Sequence, residues 1–263
     1  MAKFVYIGGY GRSGSTLLEY LLTANPKVVA CGEVSSYFGP KTKARCTCPL
    51  PVAQCPVWSA VFEPPSQPKD HRELALTLFS HVSSNYEMMV DSSKTAWGSI
   101  TAPFVLRRRL RESFLLIHIV RDPRAVCMSL LRRKRKRGES ARPALRCIWT
   151  TIGWLLANLS CEYFRWRYPR QYLHFRYEDL AQSPAELVQE VFTKLLPCDP
   201  WGREKIGTYN NQHQLHGNRM RRQPLSFADV REDTRWKKEM PLGYRRLVRA
   251  MSWPLRTRYG YWT

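Results

Sequence analysis

The stretch that most restricts how this chain can fold lies near its start, where KFVYIG (Lys3 to Gly8) runs into GYGRSGST and then into STLLEYLLTA. The first piece is a short apolar run ending in glycine. The last carries leucines at helical spacing until Asn25-Pro26 stops it. A strand, a glycine-rich turn and a helix in that order aim backbone N–H groups and the positive end of the helix dipole at one point, where an anion belongs. Against the phosphate-loop pattern G-x-x-x-x-G-K-[ST], the chain supplies Gly9, Gly14 and Thr16, but Ser15 fills the lysine slot and the nearby cation is Arg12. A plain glycine turn with an exposed arginine is the alternative.

The remaining periodicities repeat the theme. Val28 to Cys31, Glu87 to Asp91, Phe114 to Val120 and QYLHFRY read as strands, and they alternate with helical stretches at Arg72 to Tyr86, Trp97 to Arg111, Pro123 onward, Ala144 to Arg167 and Pro184 to Leu195. Such alternation predicts a three-layer α/β fold with a central parallel sheet, the anion loop following the first strand and functional loops lying beyond the strands' carboxyl ends. Residues 1–263 read as one domain. An irregular Cys/Pro-rich insertion spans about 38–70, Arg132 to Arg142 is a charge run expected to be a solvated loop, and a basic C-terminal segment covers about 212–263.

Composition narrows the partners. A chain of 263 residues that is 44% hydrophobic can bury a sizeable core, and its formal charge of +21 calls for anionic partners: nucleic acid, an acidic lipid surface or a multiply charged small molecule. The N-terminus leaves no room for a signal peptide and no apolar run is long enough to span a bilayer, so a cytoplasmic protein is expected. Eight cysteines in such a chain fit reduced thiols. RCTCPLPVAQCPVW brings Cys46, Cys48 and Cys55 together. Zinc sites usually show C-x-x-C pairs and four ligands, so zinc here would have to recruit Cys31, and the expectation is no metal.

A second constellation, LLIHIVRDPRAVCMSLL, places Arg121 at the tip of a buried strand, Asp122-Pro123 at a helix start and Ser129 two turns along. An arginine there can grip a second phosphate bidentately beside the first site. A helix-start signal with a structural arginine is the other reading.

Taken together, Arg12-Ser13-Gly14-Ser15-Thr16 and the pair Arg121 and Ser129 resemble the sulfotransferases that use 3'-phosphoadenosine 5'-phosphosulfate (PAPS), most of all their bacterial and carbohydrate-type branches. VDSSK at Val90 to Lys94, FRYEDL at Phe175 to Leu180, and GNRMR at Gly217 to Arg221 followed by Trp236 extend the likeness. The resemblance implies that Gly11 to Leu17, including Gly11 and Leu17 themselves, hold the 5'-phosphosulfate, that Arg121 and Ser129 hold the 3'-phosphate, that Tyr177 lies against the purine, and that Arg219 and Arg221 close over the donor. It implies Arg12 at the bridging oxygen and transfer without metal. The histidine of the K-[ST]-H stretch is missing from Lys94-Thr95-Ala96; the likeness to branches that use a glutamate shortly after the second strand implies Glu33 in ACGEV as the general base, a surface carboxylate or helix cap being its other reading, and Lys94 as a partner for the sulfuryl oxygens. The acceptor would be a hydroxyl of a glycan, glycolipid or small molecule. No specific nucleic acid is expected, and the basic rim can meet an anionic membrane surface. An inactive basic protein binding RNA or membrane on the same scaffold, and a phosphate-loop kinase requiring Mg²⁺ and ATP, are the competing readings.

Overall fold

The computed structural model describes residues 1–37, 46–61, 68–95, 99–135, 138, 142–195, 211–215 and 226–262. Its centre is a sheet of five parallel strands, β1 (Lys3–Gly8), β2 (Val28–Gly32), β3 (Met88–Asp91), β4 (Phe114–Val120) and β5 (Tyr172–Arg176), in the order β2-β3-β1-β4-β5. Every residue of β2, β3 and β4 is buried, the signature of strands covered on both faces.

Alternation along the strands sorts two cores. Val5, Ile7, Leu115 and Ile117 face α1 (Ser15–Leu22), α6 (Tyr177–Gln182) and α7 (Pro184–Leu195). Phe4, Tyr6, Phe114 and Leu116 face α2 (His71–Val82), α3 (Ala102–Leu110), α5 (Pro143–Arg167) and the cysteine-rich segment. The expected three-layer parallel fold is therefore present. The chain leaves β1 toward β2 and β3 on one side and reaches β4 and β5 on the other, so the switch in strand order falls at β1, where open α/β sheets place ligands.

Helix ends follow local chemistry. Asp70 accepts the amides of Arg72 and Glu73 and starts α2, which stops at Val82, short of the predicted Tyr86. Helix α3 starts at Ala102, with Pro103, which lacks an N–H, in its first turn, and Trp97, where the sequence reading begins the helix, lies outside the described residues. The first part of the charge run is corrected more strongly: α4 (Pro123–Arg135) carries Arg132 to Arg135 in its last turn, where cations complement the helix dipole, while most of the rest of the run lies outside the described residues. The C-terminal segment is also more ordered than its composition suggests. α8 (Trp236–Glu239), α9 (Leu242–Met251) and α10 (Trp253–Arg258) cover α4 and α5 with Trp236, Met240, Val248 and Leu255. Among the described residues no helix is long and apolar enough to cross a membrane.

Candidate active site

The loop between β1 and α1 is clamped from both neighbouring strands. Gly9 has φ +112°, and a Cβ there would stand 2.3 Å from the Ile119 carbonyl oxygen of β4. From the β3 side, the Gly9 amide donates to Thr95 Oγ1 at 3.0 Å and the Thr95 amide returns a bond to the Gly9 carbonyl at 3.1 Å. Gly14, the N-cap of α1, has φ +96°, and a Cβ would come 2.6 Å from the Tyr177 ring. No side chain caps α1 and its first turn holds no acidic residue, so its dipole end stays available to an anion. Ser13 is fully buried and its Oγ has no partner among the described residues. A buried hydroxyl left unpaired is costly, and an anion at the loop would satisfy it. Ser15 and Thr16 are buried in the first turn, Gly11 lies against the Lys94 side chain, and the Leu17 side chain belongs to the core, leaving only its backbone for a ligand.

On the β4 side the cations gather. Arg12 Nε donates to Ser129 Oγ at 2.9 Å, and Arg121 Nη1 donates to the Arg12 carbonyl at 3.2 Å. Arg12 is thus brought into one cluster with Arg121 and Ser129, which lie 109 and 117 positions further along the chain. The Arg121 guanidinium lies 4.2 Å above the Tyr177 ring, and its buried Nε has no partner among the described residues. Tyr177 therefore sits at the loop with one face covered by Arg121, while its hydroxyl accepts the Asp233 amide at 3.2 Å. Burial, then Arg133, Arg121 and Arg132, push the Arg12 pKa down, as expected for a cation crowded by like charges and short of an anion.

Asp233 supplies one negative charge to this cluster. Its carboxylate pairs with Arg235 at 2.7 Å, Arg132 at 3.2 Å and Arg121 at 3.6 Å, and the hydrogen bond from Arg235, ahead of the charges of Arg132 and Arg121, holds its pKa well below the usual carboxylate range. Asp122 has a structural place instead. It caps α4 through the Arg124 amide and pairs with the Arg124 guanidinium, which lies over Trp236.

On the β2 and β3 side the groups are carboxylates. Glu33 pairs with the Lys94 ammonium in a partly buried ion pair, directly after β2. Lys94 has φ +70° and its chain passes 3.9 Å from the position of a Gly11 Cβ, so it links the loop to Glu33. Behind them, Glu19 of α1 accepts the Gly32 amide and the Ser92 hydroxyl, each at 2.7 Å, and burial raises its pKa to about 8. Burial likewise raises Asp91 to about 6, although Ser93 donates to it from both its amide and its hydroxyl. Arg219 and Arg221 lie outside the described residues.

Glu19, Asp91, Thr95 and Asp233 escape a sequence reading. Glu19 is the single acidic residue in the apolar run STLLEYLL, which was a usable signal. Asp233 is one charge among many in a basic stretch, which was not. A second group of donors also assembles away from the loop: Cys46, Cys48, Cys55 and His213 place their ligand atoms within 4.8 Å of one another. The sequence expectation of no metal looked to Cys31 for a fourth ligand, but Cys31 lies in the β2 core and His213 comes from a distant segment.

A glycine loop at the switch point of a parallel sheet, with an uncapped helix end and an arginine cluster facing it, is the arrangement that suits a phosphate-like anion on an α/β scaffold. The family is settled by comparison. Residues 5–196 match the family model described as "Sulfotransferase family", and the chain belongs to that family. Its fold is similar to the sulfotransferase domain from the curacin biosynthetic pathway, at 17% identity and a TM-score of 0.58, covering 95% of this chain and 97% of that one. It is also similar to a sulfotransferase from Alicyclobacillus acidocaldarius, at 14% identity and 0.56 over 98% and 94%, and to mouse sulfotransferase SULT7A1 complexed with PAP, at 12% and 0.57 over 95% and 81%. No curated protein matches the chain. Family and fold together make it a transferase of the sulfuryl group.

Proposed function

We propose that the chain is a PAPS-dependent sulfotransferase that moves the sulfuryl group to a hydroxyl of a glycan, glycolipid or small molecule, using arginines and not a metal at the reacting centre. The observation that carries this reading is the loop's position between two chemically opposite groups, Arg12 with Arg121 and Ser129 on one side and Glu33 with Lys94 on the other. The PAP in the mouse relative's complex supports the donor class.

The residues present fit such a donor. The unpaired Ser13 Oγ and Arg121 Nε, the open α1 end and the anion-poor arginine cluster are what a doubly phosphorylated ligand would satisfy. Gly11 to Leu17 would hold the 5'-phosphosulfate, and Arg121 with Ser129 the 3'-phosphate. The donor supplies an activated sulfur–oxygen bond. Arg12 would meet the charge that grows on the bridging oxygen as that bond breaks, and Lys94 would orient the sulfuryl oxygens. Glu33 would take the proton of the acceptor hydroxyl as its oxygen bonds to sulfur. The Lys94 ion pair holds the Glu33 carboxylate toward the loop. Tyr177 and the described part of the C-terminal segment form the wall on the nucleoside side, and Arg219 and Arg221 would complete it.

We read residues 1–263 as one domain and assign it to the cytoplasm. An anionic membrane surface is an added partner, supported by the exposed α5 stripe of Trp149, Leu156, Leu159, Tyr163 and Trp166 beside Arg165 and Arg167.

The decisive experiment compares thermal stabilisation by 3'-phosphoadenosine 5'-phosphate without added Mg²⁺ with that by ATP plus Mg²⁺, followed by label transfer from PAPS to a panel of glycans, glycolipids and phenols. Stabilisation by the first ligand alone and label on one acceptor class are expected. Stabilisation only by ATP plus Mg²⁺ would make the protein a kinase. Salt-sensitive polynucleotide binding without donor binding would make it an inactive scaffold.

A further inference from the structure

Three cysteines of the irregular segment and one histidine from far along the chain converge on a single point. Cys46 Sγ and Cys55 Sγ are 3.6 Å apart, His213 Nδ1 is 3.8 Å from the first and 3.1 Å from the second, and Cys48 completes a set whose four ligand atoms lie within 4.8 Å of one another. Bonds of about 2.3 Å to sulfur and about 2.0–2.1 Å to nitrogen set the edges of a tetrahedral zinc site at about 3.8 Å between sulfurs and about 3.5 Å between sulfur and nitrogen. The observed separations bracket those edges. A disulfide between Cys46 and Cys55 would need sulfurs about 2.05 Å apart.

The surroundings are arranged as a metal–thiolate site requires. The Cys48 amide is turned to Cys46 Sγ, the Leu50 amide to Cys48 Sγ, and the amides of Val57 and Trp58 to Cys55 Sγ, so the sulfurs face N–H donors. His213 is fixed from its backbone. Its amide donates to the Ala30 carbonyl of β2 at 2.8 Å, its carbonyl accepts Trp58 Nε1 at 2.5 Å, and Gln212 bridges to Ala30 in parallel. Thr47 adds bonds to Gln212 and Gln214 across the same junction. Cys46, Cys55 and His213 are buried and Cys48 is partly so, leaving no open coordination position of the kind catalytic zinc keeps.

We propose that Cys46, Cys48, Cys55 and His213 bind one structural zinc ion that staples the cysteine-rich segment to residues 211–215, which bridge to β2 at the edge of the sheet. Three soft thiolates and an imidazole in a closed tetrahedral set select zinc over hard, oxygen-seeking cations. The stapled segment packs Trp58 against Tyr37 with ring centroids 4.6 Å apart, and Tyr37 follows the turn that begins at Glu33. The ion would thus fix the wall beside Glu33 without touching the reaction.

Elemental analysis of the full-length protein purified without chelator tests this directly. About one zinc per chain is expected, with three thiols becoming reactive on its release, a fall in Tm on the order of 10 °C, and a tetrahedral thiolate spectrum when Co²⁺ replaces it. Cys55→Ser and His213→Ala should lose the metal, His213→Cys should keep it, and Cys31→Ser should keep it fully. Wild-type protein from zinc-replete cells that carries no zinc and gives no tetrahedral Co²⁺ spectrum overturns the proposal, as does full zinc content in Cys55→Ser or a loss in Cys31→Ser equal to that in Cys55→Ser. If the serine and alanine variants do not fold, the thiol count and Co²⁺ spectrum of the wild-type chain decide the matter alone.

Discussion

On the β4 side of the loop, Arg12, Arg121 and Arg132 crowd together with Asp233 among them, whereas on the β2 and β3 side Glu19, Glu33 and Asp91 are spread over three elements. The cations share a single pocket and raise one another's need for an anion. The carboxylates are separated by function: Glu19 and Asp91 are tied to backbone amides and hydroxyls of the neighbouring turns, and only Glu33 is held by a lysine at the loop. Under the proposed mechanism ligand binding falls to the first side and proton transfer to the second, and each side can be broken separately.

The largest effect should come from the carboxylate side. Glu33→Gln removes the proposed base while keeping its shape, and kcat for sulfuryl transfer should fall by about 10²–10⁴ with donor binding preserved. Unchanged kcat would take Glu33 out of the mechanism. Across the loop, Arg12→Ala should lower turnover by about 10²–10³, the usual loss for one donor at a developing charge. Near-normal turnover in that variant would leave Arg12 with a structural role. Arg121→Lys keeps the charge but loses the fork, so affinity for 3'-phosphoadenosine 5'-phosphate, read by calorimetry, should drop about 10- to 100-fold. Asp233→Asn tests whether that carboxylate competes with the ligand: removing an ion pair of about 0.5–1 kcal/mol should tighten binding about two- to five-fold, and weaker binding would show that Asp233 organises the pocket instead.

The smallest effect sharpens the carboxylate side. Burial lifts Glu19 from its ordinary value of 4.5 to about 8, so the folded chain binds this proton more tightly than the unfolded one. Its stabilising contribution is complete below the unfolded pKa and is lost as pH rises through the folded one. Tm of the wild type should therefore decline between about pH 5 and about pH 8 more steeply than that of Glu19→Gln, by a few degrees over the range. Parallel profiles would show that Glu19 stays ionised in its pocket.

Several elements were legible because their signals are local. FLLIHIV is β4 to the residue, and Pro184 to Leu195 is α7 as read. The loop residues Gly9 to Thr16 and the pair Arg121 and Ser129 could be singled out because short spacing on a strand–turn–helix unit fixes where a residue points. Failures came where distant contacts decide. The run from Arg132 reads as a solvated loop until Asp233 and Glu239, about a hundred residues on, pair with Arg132 and hold it against the fold.

By itself, then, the sequence determined the parallel α/β plan and the glycine loop after β1, since both follow from periodicity and spacing within a few turns of chain. Only the tertiary structure decided which carboxylates are buried and bonded, which acidic residue meets the arginines, and that His213, 158 residues from Cys55, completes a four-ligand cluster. Those choices depend on segments brought together by the sheet, and nothing in local spacing encodes a contact across that distance.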